Sequence, residues 1–285
     1  MKVKTMNNKI LTLKQSLIFS TVVIIALIGV WQSILPYLAE RHFRDGFNYD
    51  AGKRYKFAVD ELEQAIKYAP WETHYQAQLG RTVEAYAHAE KNSTKKIELF
   101  HYAYTIYENI IILDKFNPWY KNRLSAMATL LATLEPEKNE FYLKVAEDEI
   151  RKAAEIDKKN PLFQLNYAFY LHQTKDPQKI QKAVELYKKV LEYDPRMVEA
   201  HYNLADIYRQ FGKMDKVIDE YLQLHEKNPN FKNINIAIAS TYIAMNEPDK
   251  AIPYFKFELE TNPTHIDSLK NLAIVYYKNN NWAES

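Results

Sequence analysis

The sequence predicts an all-α fold: a right-handed superhelical stack (α-solenoid) of helix-turn-helix repeats, preceded by one transmembrane helix. Three observations lead there. Prolines recur in one context at a fixed interval: "KNP" at Pro161, "YDP" at Pro195, "KNP" at Pro229 and "TNP" at Pro263 are each 34 residues apart. Only 5 glycines occur among 285 residues, and β-branched alternation is scarce, so tight hairpins and phosphate-cradling loops have little material to form from. Residues 15–39, finally, run for 25 positions without a charged side chain.

Residues 1–14 form a short basic tail, with Lys2, Lys4, Lys9 and Lys14 and no acid. Residues 15–38 are the predicted span. Its stretch 17–35 supplies 19 residues, against the roughly 20 that carry a helix across a ~30 Å hydrocarbon layer. Trp31 and Tyr37 stand where interfacial aromatics sit. Tyr37-Leu38-Ala39 lacks the small first member that signal peptidase reads, so the segment reads as an uncleaved anchor. Arg41, Arg44, Lys53, Arg54 and Lys56 follow the span and nearly balance the tail. The short basic tail is taken as the inner side, which makes the single-pass protein's repeats extracytoplasmic.

Residues 39–285 are the repeat domain, in units 39–70, 71–118, 119–161, 162–195, 196–229, 230–263 and a partial 264–285. Pro70 and Pro118 extend the proline series with intervals of 48 and 43 residues. Nine residues after each proline comes a mostly large side chain: Leu79, Met127, Tyr170, Leu204, Ile238 and Leu272. The next residue is small in Gly80, Ala128, Ala205, Ala239 and Ala273, with Leu171 the exception. Small beside large is what ridge-into-groove helix packing needs. Tyr208, Tyr242 and Tyr276 follow three residues later on the same helical face. Ahead of the closing prolines, Ala58, Ala183 and Ala251 recur at minus twelve, and Leu62, Tyr187, Tyr221 and Phe255 at minus eight. These mark the inner stripe of each second helix. The proline is read as ending that helix, since its ring fixes φ and restricts the residue before it. One such hairpin cannot bury its apolar face alone, whereas stacked copies can.

"NLADIYRQFGKMDKVIDEYLQLHEKNP" and "AIASTYIAMNEPDKAIPYFKFELETNP" resemble the tetratricopeptide repeat family in length and in their small, aromatic and proline positions. The likeness covers about residues 39–285. It departs at Glu258, where a small residue is usual, at Thr174, where an aromatic is, and around "HAEKNSTKK" and "LEPEKNEF", which read as insertions. "NNNWAES" stops inside the second helix of a seventh unit, so the chain reads as truncated. One span followed by "LAERHFRDGFNYDAGKRYKFAVDELEQAIKYAP" and two stretched units also resembles the last span and repeat tail of O-antigen ligase and polymerase-like membrane enzymes. That resemblance implies a catalytic membrane portion outside this chain, and no catalytic residue carries over.

The residues themselves show no catalytic constellation, and no enzyme is predicted. With 0 cysteines, disulfides and thiolate chemistry are excluded. None of the 8 histidines forms an HExxH pair, and no metal or other cofactor is expected. The formal charge of +2 is spread at helical spacing, which gives no nucleic-acid footprint. The run Glu147-Asp148-Glu149 reads as a solvated helix face, and "KNSTKK" as a loop. The working surface is expected on the concave side, where first helices line the inner curve of a superhelix. In the last three units that face carries Glu199, Tyr202, Asp206 and Arg209, then Asn233, Ile236, Ser240 and Ile243, then Asp267, Lys270, Ile274 and Tyr277. Family members that clamp a partner's C-terminal carboxylate use lysine, asparagine and arginine. The corresponding places here hold Tyr202, Asp206 and Ile236, which disfavours that role. A groove of tyrosine and isoleucine between charges suits an extended or helical peptide, or stacks on sugar rings. The predicted function is a membrane-anchored scaffold for protein partners, in the setting of envelope or surface-polysaccharide assembly. The alternative is the accessory tail of a polysaccharide-ligating or polymerising enzyme.

Overall fold

The computed structural model describes the backbone of residues 2–229, 231 and 233–278, and side chains between residues 18 and 277 except 27, 28, 230, 232 and 261. The predicted partial helix within 279–285 lies outside the described residues. Thirteen α-helices and no strand occur among the described residues, in two compact units, 1–149 and 150–285.

The first unit contains α1 (Lys2–Ala51), α2 (Tyr55–Tyr68), α3 (Thr73–Ala89), α4 (Ser93–Leu113), α5 (Pro118–Leu134), a 3-10 turn at Pro136–Lys138 and most of α6 (Asn139–Ile156). The second contains the end of α6 and α7 (Pro161–His172), α8 (Pro177–Tyr193), α9 (Val198–Gln210), α10 (Met214–Lys227), α11 (Ile234–Ala244), α12 (Pro248–Thr261) and α13 (Ile266–Lys278). Corners of three to six residues reverse the chain between neighbours, so successive helices pack antiparallel within each unit. Apolar residues 18–35 and the first repeat helix are one continuous helix, α1, with Pro36 inside it.

The predicted inner stripe of the second helices is buried throughout: Ala58, Leu62, Ala183, Tyr187, Tyr221, Ala251 and Phe255 are each at most 3% exposed. Tyr208 and Tyr276 are buried as well, and Tyr242 half-buried.

The prolines do not all play the part expected of them. Pro70, Pro195, Pro229 and Pro263 each lie two residues past the end of a second helix. Pro118 and Pro161 instead open the next helix as its first residue, capped by Asn117, whose Oδ1 accepts from Trp119 N at 3.1 Å, and by Asn160, whose Oδ1 accepts from Leu162 N at 3.0 Å. Proline is tolerated there because the first helical N–H has no partner to lose. Counted from helix starts, the small residue is the eighth in five first helices, Gly80, Ser125, Ala168, Ala205 and Ala273, and the sixth in α11, Ala239. In that register Ser125 and Ala168 stand where Gly80 stands on α3, and Ala168 supplies the small residue that Leu171 does not, while Ala128 is fully buried as well. Ser125 Oγ donates to the Ala146 carbonyl at 2.7 Å, which brings α5 and α6 together. Thr174 lies beyond the end of α7, and the fully buried Leu171 fills the place expected for an aromatic.

A second correction concerns the acidic run. Glu149 is 7% exposed and its Oε2 accepts from Lys121 Nζ at 3.2 Å, while Glu147 and Asp148 are half-buried. Glu149 belongs to the stripe of Tyr142, Ala146 and Ala153, at spacings of 4, 3 and 4, all of them buried. A charge on that stripe is carried inward, and the ammonium of Lys121 meets it there.

Candidate functional site

The face predicted on the first helices begins on α9, where Glu199, Tyr202, Asp206 and Arg209 follow one another at 3, 4 and 3 residues and share one stripe. The opposite stripe of α9, with Ala200, Leu204, Ala205, Ile207 and Tyr208, is buried and holds the helix in the stack.

The exposed stripe is tied down at its centre. Asp206 Oδ2 accepts from Gln210 Nε2 at 2.9 Å and lies 3.5 Å from His172 Nε2 on α7. Its other oxygen lies 3.9 Å from the guanidinium of Arg209, which donates to the Tyr221 hydroxyl on α10 at 2.9 Å. The Tyr202 ring packs against those of Tyr221, at 5.3 Å, and Phe231, at 6.1 Å. Burial, with a smaller contribution from Tyr221, pushes the Tyr202 phenol up. Tyr202 thus packs as well as lines. Glu199 and Arg209 remain open to solvent.

Beneath this network His172 is buried. Gln210 Nε2 lies 3.2 Å from His172 Nε2 and bridges the ring to Asp206. Nδ1 has no hydrogen-bond partner, and neither has the hydroxyl of Tyr187, whose ring meets the imidazole edge-on at 6.4 Å. Burial lowers the His172 pKa, and the Asp206 carboxylate opposes it only partly. Burial likewise raises Tyr187. A histidine held neutral by the fold binds its proton more readily once unfolded. Stability should therefore fall as pH drops below about 6.5, the ordinary histidine value, and level off below the folded value. His172→Gln is expected to flatten that part of the curve, which paired melting measurements of both proteins between neutral and mildly acidic pH would show.

On α11, Ile236 is half-buried, Ser240 exposed and Ile243 40% exposed. Asn233 stands before the first residue of α11, in a left-handed turn with φ +68°, rather than on the helix. On α13, Asp267 and Lys270 are exposed, Ile274 is 52% and Tyr277 59% exposed. The structure thus links Tyr202, Asp206 and Arg209 into one network with His172, Gln210 and Tyr221, and presents the other residues on α11 and α13 as separate stripes. His172, Gln210 and Phe231 were not singled out by the sequence. A lone histidine has no signature there, because Asp206 and Gln210 reach it from 34 and 38 residues away. Among the described residues, no cluster of three or more histidine, aspartate or glutamate side chains could hold a metal ion.

Residues 176–240, which cover α8 to α10 and part of α11, match the tetratricopeptide repeat family model. No curated protein matches the sequence. Solved structures of similar fold include a tetratricopeptide repeat protein from Parabacteroides merdae, with TM-score 0.58, 13% identity and coverage of 85% of this chain and 92% of that one. PilW, described as a widely conserved type IV pilus biogenesis factor, gives TM-score 0.55 at 13% identity, with 83% and 97% covered. The pilF protein of Pseudomonas aeruginosa gives 0.54 at 14%, with 84% and 98% covered. At these identities the likeness is one of fold. The comparisons do not show the resemblance to O-antigen ligase. The chain is an all-helical tetratricopeptide-type solenoid, carrying that repeat family's sequence over residues 176–240.

Proposed function

We propose that this protein is a membrane-anchored scaffold, with residues 15–38 as its single span and 39–285 as its repeat domain, and that it holds a protein partner without chemistry of its own. The partner lies along the first-helix stripes of α9, α11 and α13. The observation that carries this reading is the outward presentation of Ile243, Ile274 and Tyr277, 40%, 52% and 59% exposed, among the charges of Arg209, Asp267 and Lys270. Apolar groups spaced between charges suit an amphipathic or extended polypeptide, whose apolar side chains take the isoleucines and whose polar ones meet the rim. Similarity to PilW, named as a pilus biogenesis factor, supports an assembly role in the cell envelope, and surface-polysaccharide machinery is the setting in which the partner belongs. The span, with the repeats on the extracytoplasmic side, would place the scaffold there.

The test is crosslinking and pull-down of the detergent-extracted full-length protein beside its Ile243→Asp/Ile274→Asp variant. Both side chains are exposed, so the variant should melt within about 0.5 kcal/mol of the parent. Capture should fall at least tenfold, since two apolar anchors worth about 1 kcal/mol or more each are lost. Undiminished capture would move the binding surface elsewhere.

A further inference from the structure

We infer that the repeats nearest the span lie with one edge on the bilayer, docked through the aromatic corners between α2 and α3 and between α4 and α5. This rests on the reading of the apolar part of α1 as a membrane span.

The edge is defined by helix direction. Going from its apolar segment into the repeats, α1 runs away from the lipid-compatible stretch and α2 returns. Ala39 of α1 packs with Ala65, Ala69 and Tyr75, and the Tyr75 hydroxyl donates to Glu40 Oε2 at 3.0 Å. The α2–α3 corner therefore sits beside the point where α1 leaves its apolar segment. Helix α3 runs away again and α4 comes back, so the α4–α5 corner falls on the same edge. It also reaches further. The Tyr102 hydroxyl donates to Glu63 Oε1 at 2.7 Å, which marks a common level on α4 and α2. Beyond it α2 has five residues left and α4 eleven. Six extra residues project roughly 9 Å at a 1.5 Å rise.

What projects there is mostly apolar, with Glu72 and Lys115 exposed among it. Trp71 is 59% exposed at the first corner, and Ile112 at 76%, Leu113 at 55%, Phe116 at 72% and Trp119 at 52% surround the second. Lys115 stands over the Phe116 ring, its Nζ 5.0 Å from the centroid. On α1 itself, Tyr37 is 71% exposed at the same end. Tryptophan, tyrosine and lysine are the side chains that settle at a membrane–water boundary. The opposite edge of this unit carries Lys53 and Arg54, Glu90 and Lys91, and Glu135 to Lys138, with Phe47, Phe57 and Phe141 51%, 52% and 58% exposed beside them and no tryptophan. The exposed Phe57 there is covered by the Arg54 guanidinium at 4.6 Å from its ring. The α6–α7 corner carries Asp-Lys-Lys-Asn where α4–α5 carries Asp-Lys-Phe-Asn, and the later corners have no tryptophan, although Tyr193 and Ile266 are 50% and 63% exposed beside two of them. Within the repeats of the first unit, exposed tryptophan stands only at the two corners on the edge from which the span leaves, Trp71 and Trp119. Because α1 is continuous from its apolar segment into the repeat, the edge is held toward the bilayer and not on a free tether.

The experiment uses the full chain in phosphatidylethanolamine/phosphatidylglycerol vesicles, plain or with brominated acyl chains, and variants that retain one tryptophan while the other three become phenylalanine. Trp31 alone reports on the anchor; Trp71 alone and Trp119 alone report on the corners. Quenching of all three is expected, strongest for Trp31 with deep bromines and for the corners with shallow ones, and Leu113→Asp/Phe116→Asp should remove the quenching of Trp119. If Trp31 is quenched and Trp119 is not, the anchor reading stands and the docking inference is overturned. A blue-shifted but unquenched Trp119 overturns it too, in favour of a protein covering the edge. If Trp31 is itself unquenched, the anchor reading has failed and takes this inference with it.

Discussion

Lys121→Ala is expected to lower the stability of the chain by about 3–5 kcal/mol, a loss typical of breaking a buried ion pair from one side. The Lys121 and Glu149 side chains are 8% and 9% exposed, and Nζ lies 3.2 Å from Oε2. Bringing both charges out of water costs several kcal/mol each, and their mutual attraction at low dielectric offsets it. Truncating the lysine removes that offset while the Glu149 carboxylate stays buried. The companion variant Lys121→Met/Glu149→Leu removes both charges and keeps the volume, so it should return to near parental stability. Urea unfolding followed by circular dichroism measures both. A loss below about 1 kcal/mol for Lys121→Ala would mean that water reaches the pair and screens it as at a surface.

Tyr107→Ala should cost a comparable 3–5 kcal/mol, as truncation of a buried aromatic does. Tyr107 is 1% exposed, and its hydroxyl donates to Glu84 Oε1 at 2.5 Å, while Arg123 holds the other Glu84 oxygen at 3.3 Å. Gly80 lies against its ring: a Cβ there would stand 2.8 Å from Tyr107 Cζ. The absent methyl of Gly80 is the space the ring occupies, which is why α3 carries a glycine in mid-helix at a cost of about 1 kcal/mol relative to alanine. Tyr107→Phe separates the two contributions. It keeps the ring and removes the donor, and about 1–3 kcal/mol is expected because Glu84 keeps Arg123. Burial and the Glu84 carboxylate both raise the Tyr107 phenol, so it donates throughout the accessible pH range. If the phenylalanine variant is as unstable as the alanine one, the hydrogen bond and not the ring holds α3 to α4.

The buried stripes were legible because they are local. Ala183, Tyr187 and Tyr221 sit at fixed offsets from a proline, and a 3.6-residue period brings such positions to one side whatever the neighbours are. The candidate face was legible in part. Ile243, Ile274 and Tyr277 are exposed as the offset implies, while Tyr202 is drawn toward Tyr221 and Phe231, the latter supplied by the irregular turn before α11. That turn also moves Asn233 off the helix, and its left-handed φ leaves no trace in helical periodicity.

By itself, the sequence determined the helical class, the hairpin unit, the inner stripe of α2, α8, α10 and α12 and the apolar segment at the N-terminus, since each follows from side-chain period, proline chemistry or an uncharged run within a few turns of chain. Tertiary structure decided the register of Pro118 and Pro161, the inward turn of Glu149, the neutral His172 beneath Asp206, and the edge that gathers Trp71 and Trp119. Each depends on which helix closes against which. A proline fits both two residues past one helix and at the first position of the next, and only the small residue that a neighbouring helix must pack against, Ser125 or Ala168, selects between them.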